Sequence, residues 1–135
     1  MDFRLKNSEQ LRTVKATKAS GTVIEAGDLV ALSSGLIIKA TAGSTRVAYA
    51  PNGAPAGVTQ VDVTVGNDFT LVCDSDAAFA VTDKGATHDI VVSGGVQKLD
   101  IGETSTNVLR VGIGEDAGTA SSASNVEVKI EAPLF

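Results

Sequence analysis

The sequence predicts an all-β fold, a small barrel or sandwich of β-tulip-like character, with an extended N-terminal arm and at most one short helix. Three observations carry this expectation. The chain of 135 residues is written largely as short runs of β-branched and apolar residues broken by Gly, Asp and Asn. Helical periodicity is hard to find anywhere along it. Charge is also split: residues 1–18 hold five bases (Arg4, Lys6, Arg12, Lys15, Lys18) against Asp2 and Glu9, a net of +3, while the remainder nets −8.

The arm comes first, residues 1–17, polar and basic with Phe3, Leu5, Leu11 and Val14 interspersed. Residues 18–135 then form one body, because a chain of this length builds one core comfortably and two with difficulty. Strands are expected at Gly21–Ile24, Leu29–Leu32, Leu36–Ala40, Arg46–Ala50, Gly57–Val65, Phe69–Val72, His88–Val92, Val96–Leu99, Val108–Ile113 and Val126–Glu131. Ser33-Ser34-Gly35 and Ser93-Gly94-Gly95 supply tight turns between neighbouring runs. The clearest alternation, Val61, Val63 and Val65 against Gln60, Asp62 and Thr64, describes a strand with one dry face and one wet face.

The one candidate helix follows Asp74-Ser75-Asp76, through Ala77–Val81. Two loops are expected at the surface. Tyr49–Gly57 is rich in Pro and Gly, and Gly114–Ser124 carries too little apolar surface to order itself.

Composition excludes several classes of function. Aromatics are 4% of the chain with no Trp, so Val, Ile, Leu and Ala must build the core. An acidic body repels nucleic acid, and no stretch approaches the roughly 20 apolar residues of a membrane span. The first residues also lack the apolar run of a signal peptide, so folding in a cytoplasm is expected. Cys73 stands alone within an apolar run, which predicts a buried, inert thiol and no disulfide.

No catalytic, cofactor-binding or metal-binding residue is expected. His88 beside Asp89 lacks a nucleophile elbow and reads as a polar residue at a strand edge. Asp74-Ser75-Asp76 lacks the Gly and distal Glu of a calcium loop. Gly112-Ile113-Gly114-Glu115-Asp116 has no Lys and two acids that would repel phosphate. Thr82-Asp83-Lys84-Gly85 resembles the Asp-Lys hairpin tip of lipoyl carrier domains, an alternative that would place a modified lysine at Lys84.

The arm mixes basic and apolar residues, a pattern suited to docking on a protein surface, although it can also be read as an unordered tail. Ala132-Pro133-Leu134-Phe135 puts two large apolar residues together, to be covered by the body or by a partner.

Gly27-Asp28-Leu29-Val30, then Gly35-Leu36-Ile37-Ile38-Lys39-Ala40, a Pro/Gly-rich excursion and Val-rich strands resemble the head decoration (cement) proteins of tailed bacteriophages. The resemblance covers roughly residues 16–113 in layout, composition and acidity. It implies a virion protein on the outer capsid surface, assembled in the host cytoplasm and commonly trimeric. Its partner would be the major capsid protein, with no direct role for nucleic acid, membrane or cofactor. The capsid-contacting residues would be Phe3, Arg4, Leu5, Lys6, Leu11, Arg12 and Val14, with Leu134 and Phe135 in a subunit contact. The alternative within the same class is a head fibre base or tail protein.

Overall fold

A computed structural model describes residues 1–7 and 11–135; residues 8–10 of the expected arm lie outside the described residues. The fold is all-β, with three antiparallel sheets and no closed barrel among the described residues, in keeping with a small sandwich.

Among the described residues eleven strands follow in chain order: β1 (Phe3–Leu5), β2 (Thr13–Thr17), β3 (Asp28–Ser33), β4 (Leu36–Lys39), β5 (Ala48–Ala50), β6 (Gln60–Thr64), β7 (Leu71–Cys73), β8 (Thr87–Ser93), β9 (Val96–Asp100), β10 (Leu109–Val111) and β11 (Val126–Ile130). The large sheet runs β1-β7-β11-β10-β8-β9, the second β4-β3-β5, and the third β2-β6.

Two of the hairpins share one geometry. Ser33 pairs with Leu36 and Ser93 with Val96, each across a two-residue loop with both φ positive: Ser34 at 51° and Gly35 at 79°, Gly94 at 58° and Gly95 at 79°. That is the type I′ turn, whose twist matches the twist of the strands it joins.

Two cores result, and β3 lies between them. Leu29 and Ala31 join Phe3, Leu71, Ile90, Leu99, Leu109 and Ile130 in the larger core. Val30, on the opposite face, joins Ile37, Ala48, Val61, Val63 and Leu134 in the smaller. Burial on both faces explains why Asp28-Leu29-Val30-Ala31 reads as a continuous run rather than an alternation. Each Leu or Ile so enclosed contributes about 1.5–3 kcal/mol. Gln97 stitches β9 to β3 and β4 through the interior. Its side chain accepts from Leu29 N (2.8 Å) and donates to Leu29 O (2.8 Å) and Ala40 O (3.1 Å).

Several expectations are corrected. Residues 77–80 form no helix; the helical pieces among the described residues are single 3-10 turns at Val81–Asp83 and Glu115–Ala117. Gly21–Ile24 is not a strand, and Ile24 makes only an isolated bridge to Ala54. Gly114–Ser124 was expected to be unable to order itself, yet its Ser121–Ala123 end is bonded to the facing segment. Phe79 N donates to Ser122 O (2.8 Å), Ser121 N to Phe79 O (2.9 Å), and Ser75 N to Ala123 O (2.8 Å). Backbone pairing and the burial of Ala117 supply what its own side chains lack. The Tyr49–Gly57 excursion is not wholly exposed either, since Tyr49, Ala50 and Ala54 are buried.

Two strands of the expected arm, residues 1–17, pair with strands of the body. β1 is an edge strand of the large sheet, pairing Phe3 with Cys73 and Leu5 with Leu71, and β2 pairs along its whole length with β6. The sequence is polar there because an edge strand needs only alternate apolar residues, and Phe3 and Leu5 provide them.

Candidate functional site

The N-terminal segment is built into the body by both its apolar and its basic side chains. Phe3 is fully buried in the larger core, so it offers no surface to a partner. Its N–H donates to Gly27 O (3.0 Å), and its carbonyl accepts from the Tyr49 hydroxyl (3.3 Å). Gly27, at φ 93°, lies so close that a Cβ there would meet Phe3 O at 2.5 Å. Only glycine accommodates both demands. Leu5 is half-buried against the same core.

The bases act as clamps. Arg4 donates to Asn125 Oδ1, and Lys6 pairs with Glu127 at 2.9 Å, a hydrogen bond that raises the Lys6 pKa. Lys15 pairs with Asp62 at 3.0 Å, and that bond holds the Asp62 carboxyl below its usual range. Lys18 is buried, and its ammonium donates to Thr22 O and to Ala56 O (3.4 Å).

What remains outward-facing gathers around β2 and the C-terminal residues. Lys18 N donates to Thr59 O and Arg12 O accepts from Val65 N, both at 2.9 Å. Even-numbered backbone groups of this strand therefore turn toward β6 and odd-numbered groups turn away. A parallel bridge from Lys18 to Ile37, with Ala19 N donating to Ile37 O (2.9 Å), closes the far end of that outer edge. The N–H and C=O of Thr13 and Lys15 stay unpaired among the described residues. Val14 is 41% exposed on the same strand.

Leu11 and Arg12 line a surface hollow of about 410 Å³ with Val65, Gly66, Asn67, Asp68 and Phe69. Gly66 N donates to Phe135 O (2.7 Å), and the Phe135 ring is 41% exposed. Leu134, by contrast, is tucked into the smaller core, with its N–H donating to Val47 O (3.0 Å) and its carbonyl accepting from Arg46 (3.2 Å). Of the nine residues singled out in sequence, the structure brings Leu11, Arg12, Val14 and Phe135 near one surface. Arg4, Leu5 and Lys6 lie on the edge of the large sheet, and Phe3 and Leu134 lie inside. The unpaired edge itself is not visible in sequence, because strand order decides it.

Elsewhere Asp74, Asp76 and Asp89 have structural partners, whereas both ring nitrogens of His88 are buried without a hydrogen-bond partner among the described residues. Among the described residues, no cluster of three or more His, Cys, Asp or Glu could hold a metal ion. Cys73 is fully buried, and burial pushes its thiol up to about 12. His88 was expected at a strand edge but is buried on β8, its Nε2 3.9 Å from Asp83 Oδ1. Asp89 accepts from the N–H groups of Ser105 (3.2 Å), Thr106 (2.7 Å) and Asn107 (2.9 Å). Burial alone would raise its pKa, and these donors outweigh burial and lower it. Asp74 and Asp76 accept from Asn125 N (3.4 Å) and Ile101 N (3.0 Å). Lys84 follows a 3-10 turn between β7 and β8, strands that are not neighbours, so it does not sit at a hairpin tip.

No helix among the described residues is long and apolar enough to cross a membrane. Comparisons with protein-family models, with curated proteins and with solved structures found no match.

Proposed function

We propose that this chain is a structural, protein-binding module rather than an enzyme. Within that class we propose a head decoration protein of a tailed bacteriophage, cementing neighbouring major capsid subunits on the outside of the expanded capsid. The observation that supports this best is the unpaired outer edge of β2, flanked by Arg12, Val14 and Lys15. An extended partner segment laid along Thr13 and Lys15 gains main-chain hydrogen bonds, and pockets for alternate side chains set its identity. The acidic remainder of the chain makes direct nucleic-acid binding unfavourable.

Because β1 and β2 are already paired, binding does not bear the cost of ordering a free arm. Contacts are expected from Leu11, Arg12, Val14 and Phe135, with Arg4 and Lys6 at the large-sheet edge; Phe3 acts only through the core. A homotrimer would multiply a weak edge contact through effective concentration.

Co-sedimentation with expanded phage heads stripped of decoration tests the proposal. Saturable binding at a fixed ratio to the major capsid protein is the expected result. Absence of binding at any protein concentration refutes the capsid reading and turns attention to a fibre base or tail role.

A further inference from the structure

The loop beside β2 carries a chemical liability that the fold keeps in place. Asn52 is exposed in Pro51-Asn52-Gly53, and its Nδ2 donates to Asp62 Oδ2 (3.4 Å). Asp62 Oδ1 in turn holds Lys15 of β2. Gly53 has φ 69°, and a Cβ there would come within 2.6 Å of both Ala26 N and Ile24 O. Glycine is thus required after Asn52 by sterics, on the segment that bridges Ile24 and Ala54 through two backbone bonds (2.9 and 2.6 Å).

We infer that Asn52 is a self-modifying site that converts to aspartate and isoaspartate without an enzyme. The Gly53 amide nitrogen, after loss of its proton to solvent base, attacks Cγ of Asn52. The new C–N bond closes a succinimide ring, the Cγ–Nδ2 bond breaks, and the nitrogen leaves with a proton as ammonia. Water then opens the ring: attack at Cγ gives aspartate, and attack at the main-chain carbonyl carbon gives isoaspartate. Nothing is oxidised or reduced, and water is the sole co-reactant.

The other asparagines are poorer substrates. Asn7, Asn67, Asn107 and Asn125 precede Ser8, Asp68, Val108 and Val126, whose side chains crowd the attacking nitrogen. Asn67 Nδ2 is also held by Ile130 O (2.9 Å), and Asn125 Oδ1 accepts from Arg4. No hydrogen bond of the Gly53 N–H occurs among the described residues.

The consequence falls on β2. Either product replaces a hydrogen-bond donor to Asp62 with a second carboxylate, which competes for Lys15 and cuts the positive charge of that edge. Isoaspartate also adds a main-chain atom directly before Gly53, where the packing against Ile24–Ala26 leaves no slack.

The test is to hold native protein at mildly alkaline pH and follow intact mass, with fragmentation to locate any change. A gain of about 1 Da at Asn52, ahead of the other four asparagines and lost in the Asn52→Gln variant, is the expected result. A native chain unchanged at Asn52 under conditions where the denatured chain is modified would overturn the inference. So would equal gain at the other asparagines. A stable loss of about 17 Da with the Lys15 and Asn52 peptides joined would overturn it too, because that product is a side-chain amide cross-link.

Discussion

Replacing Phe3 by Ala tests whether the first strand belongs to the body. The ring is fully enclosed among Leu29, Tyr49, Leu71 and Cys73 in the larger core, so its removal both forfeits transfer energy and leaves a cavity. Phe→Ala changes at such sites cost about 3–5 kcal/mol. Unfolding entropy near the midpoint is about 2.1 cal/mol/K per residue, or roughly 0.28 kcal/mol/K for this chain, so a loss of 4 kcal/mol lowers Tm by about 14 °C. Thermal unfolding followed by circular dichroism at neutral pH reads this directly. Arg4→Ala is the matched control: the Arg4 side chain is exposed and among the described residues bonds to Asn125, and its loss costs about 0.5 kcal/mol. A Phe3→Ala midpoint within about 2 °C of the parent would refute the reasoning and restore a free arm at residues 1–17.

Three further outcomes follow from buried polar groups and the thiol. Gln97→Ala strands Leu29 N and Ala40 O in the interior, while Leu29 O keeps its bond from Ala40 N, and is expected to cost about 3 kcal/mol in denaturant titration, with the fold retained. Asp89 has its pKa depressed in the folded state by the Ser105, Thr106 and Asn107 donors. Its stabilisation is therefore complete above the ordinary value of about 3.9 and is lost as pH falls through the lower folded value. Asp89→Ala should lower Tm at neutral pH, with the difference from the parent shrinking in acid. Cys73, fully buried and with its thiol pushed up to about 12, should resist a thiol-specific reagent in the native state and react at the rate of unfolding.

The strands legible in sequence were those whose periodicity is local. Val61/Val63 against Gln60/Asp62 and Val126/Val128/Ile130 against Glu127/Lys129 appear where the alternation placed them, on β6 and β11. But Thr64, expected on the wet face, is buried with its hydroxyl accepting from Tyr49 N, and Val65 lies beyond β6 and is only half-buried. The paired type I′ hairpins were signalled by Ser-Gly and Gly-Gly between apolar runs. β1 and β2 were missed because charge dominated the reading of residues 1–17. The alternation of Phe3 with Leu5, and of Val14 with Ala16, was the available signal. Gly114–Ser124 was misjudged for a different reason: its order comes from backbone bonds to residues 75–79, which leave no mark on composition. The candidate surface was half legible. Leu11, Arg12, Val14 and Phe135 could be picked by residue type, but their grouping around Gly66 depends on long-range pairing.

The order of the large sheet has a consequence for how the chain is made. β11, from residues 126–130, fits between β7 and β10, so the strand synthesised last of the six lies within the sheet rather than at its rim. Until it emerges from the ribosome, β7 and β10 each present an open edge to other nascent chains, and β1 has only a half-supported partner. Such folding cannot proceed progressively from the N-terminus. It waits on completion of this stretch and then on slow long-range pairing. Slower translation therefore prolongs exposure instead of helping, and fusions that delay release of the C-terminal strand should raise aggregation during expression.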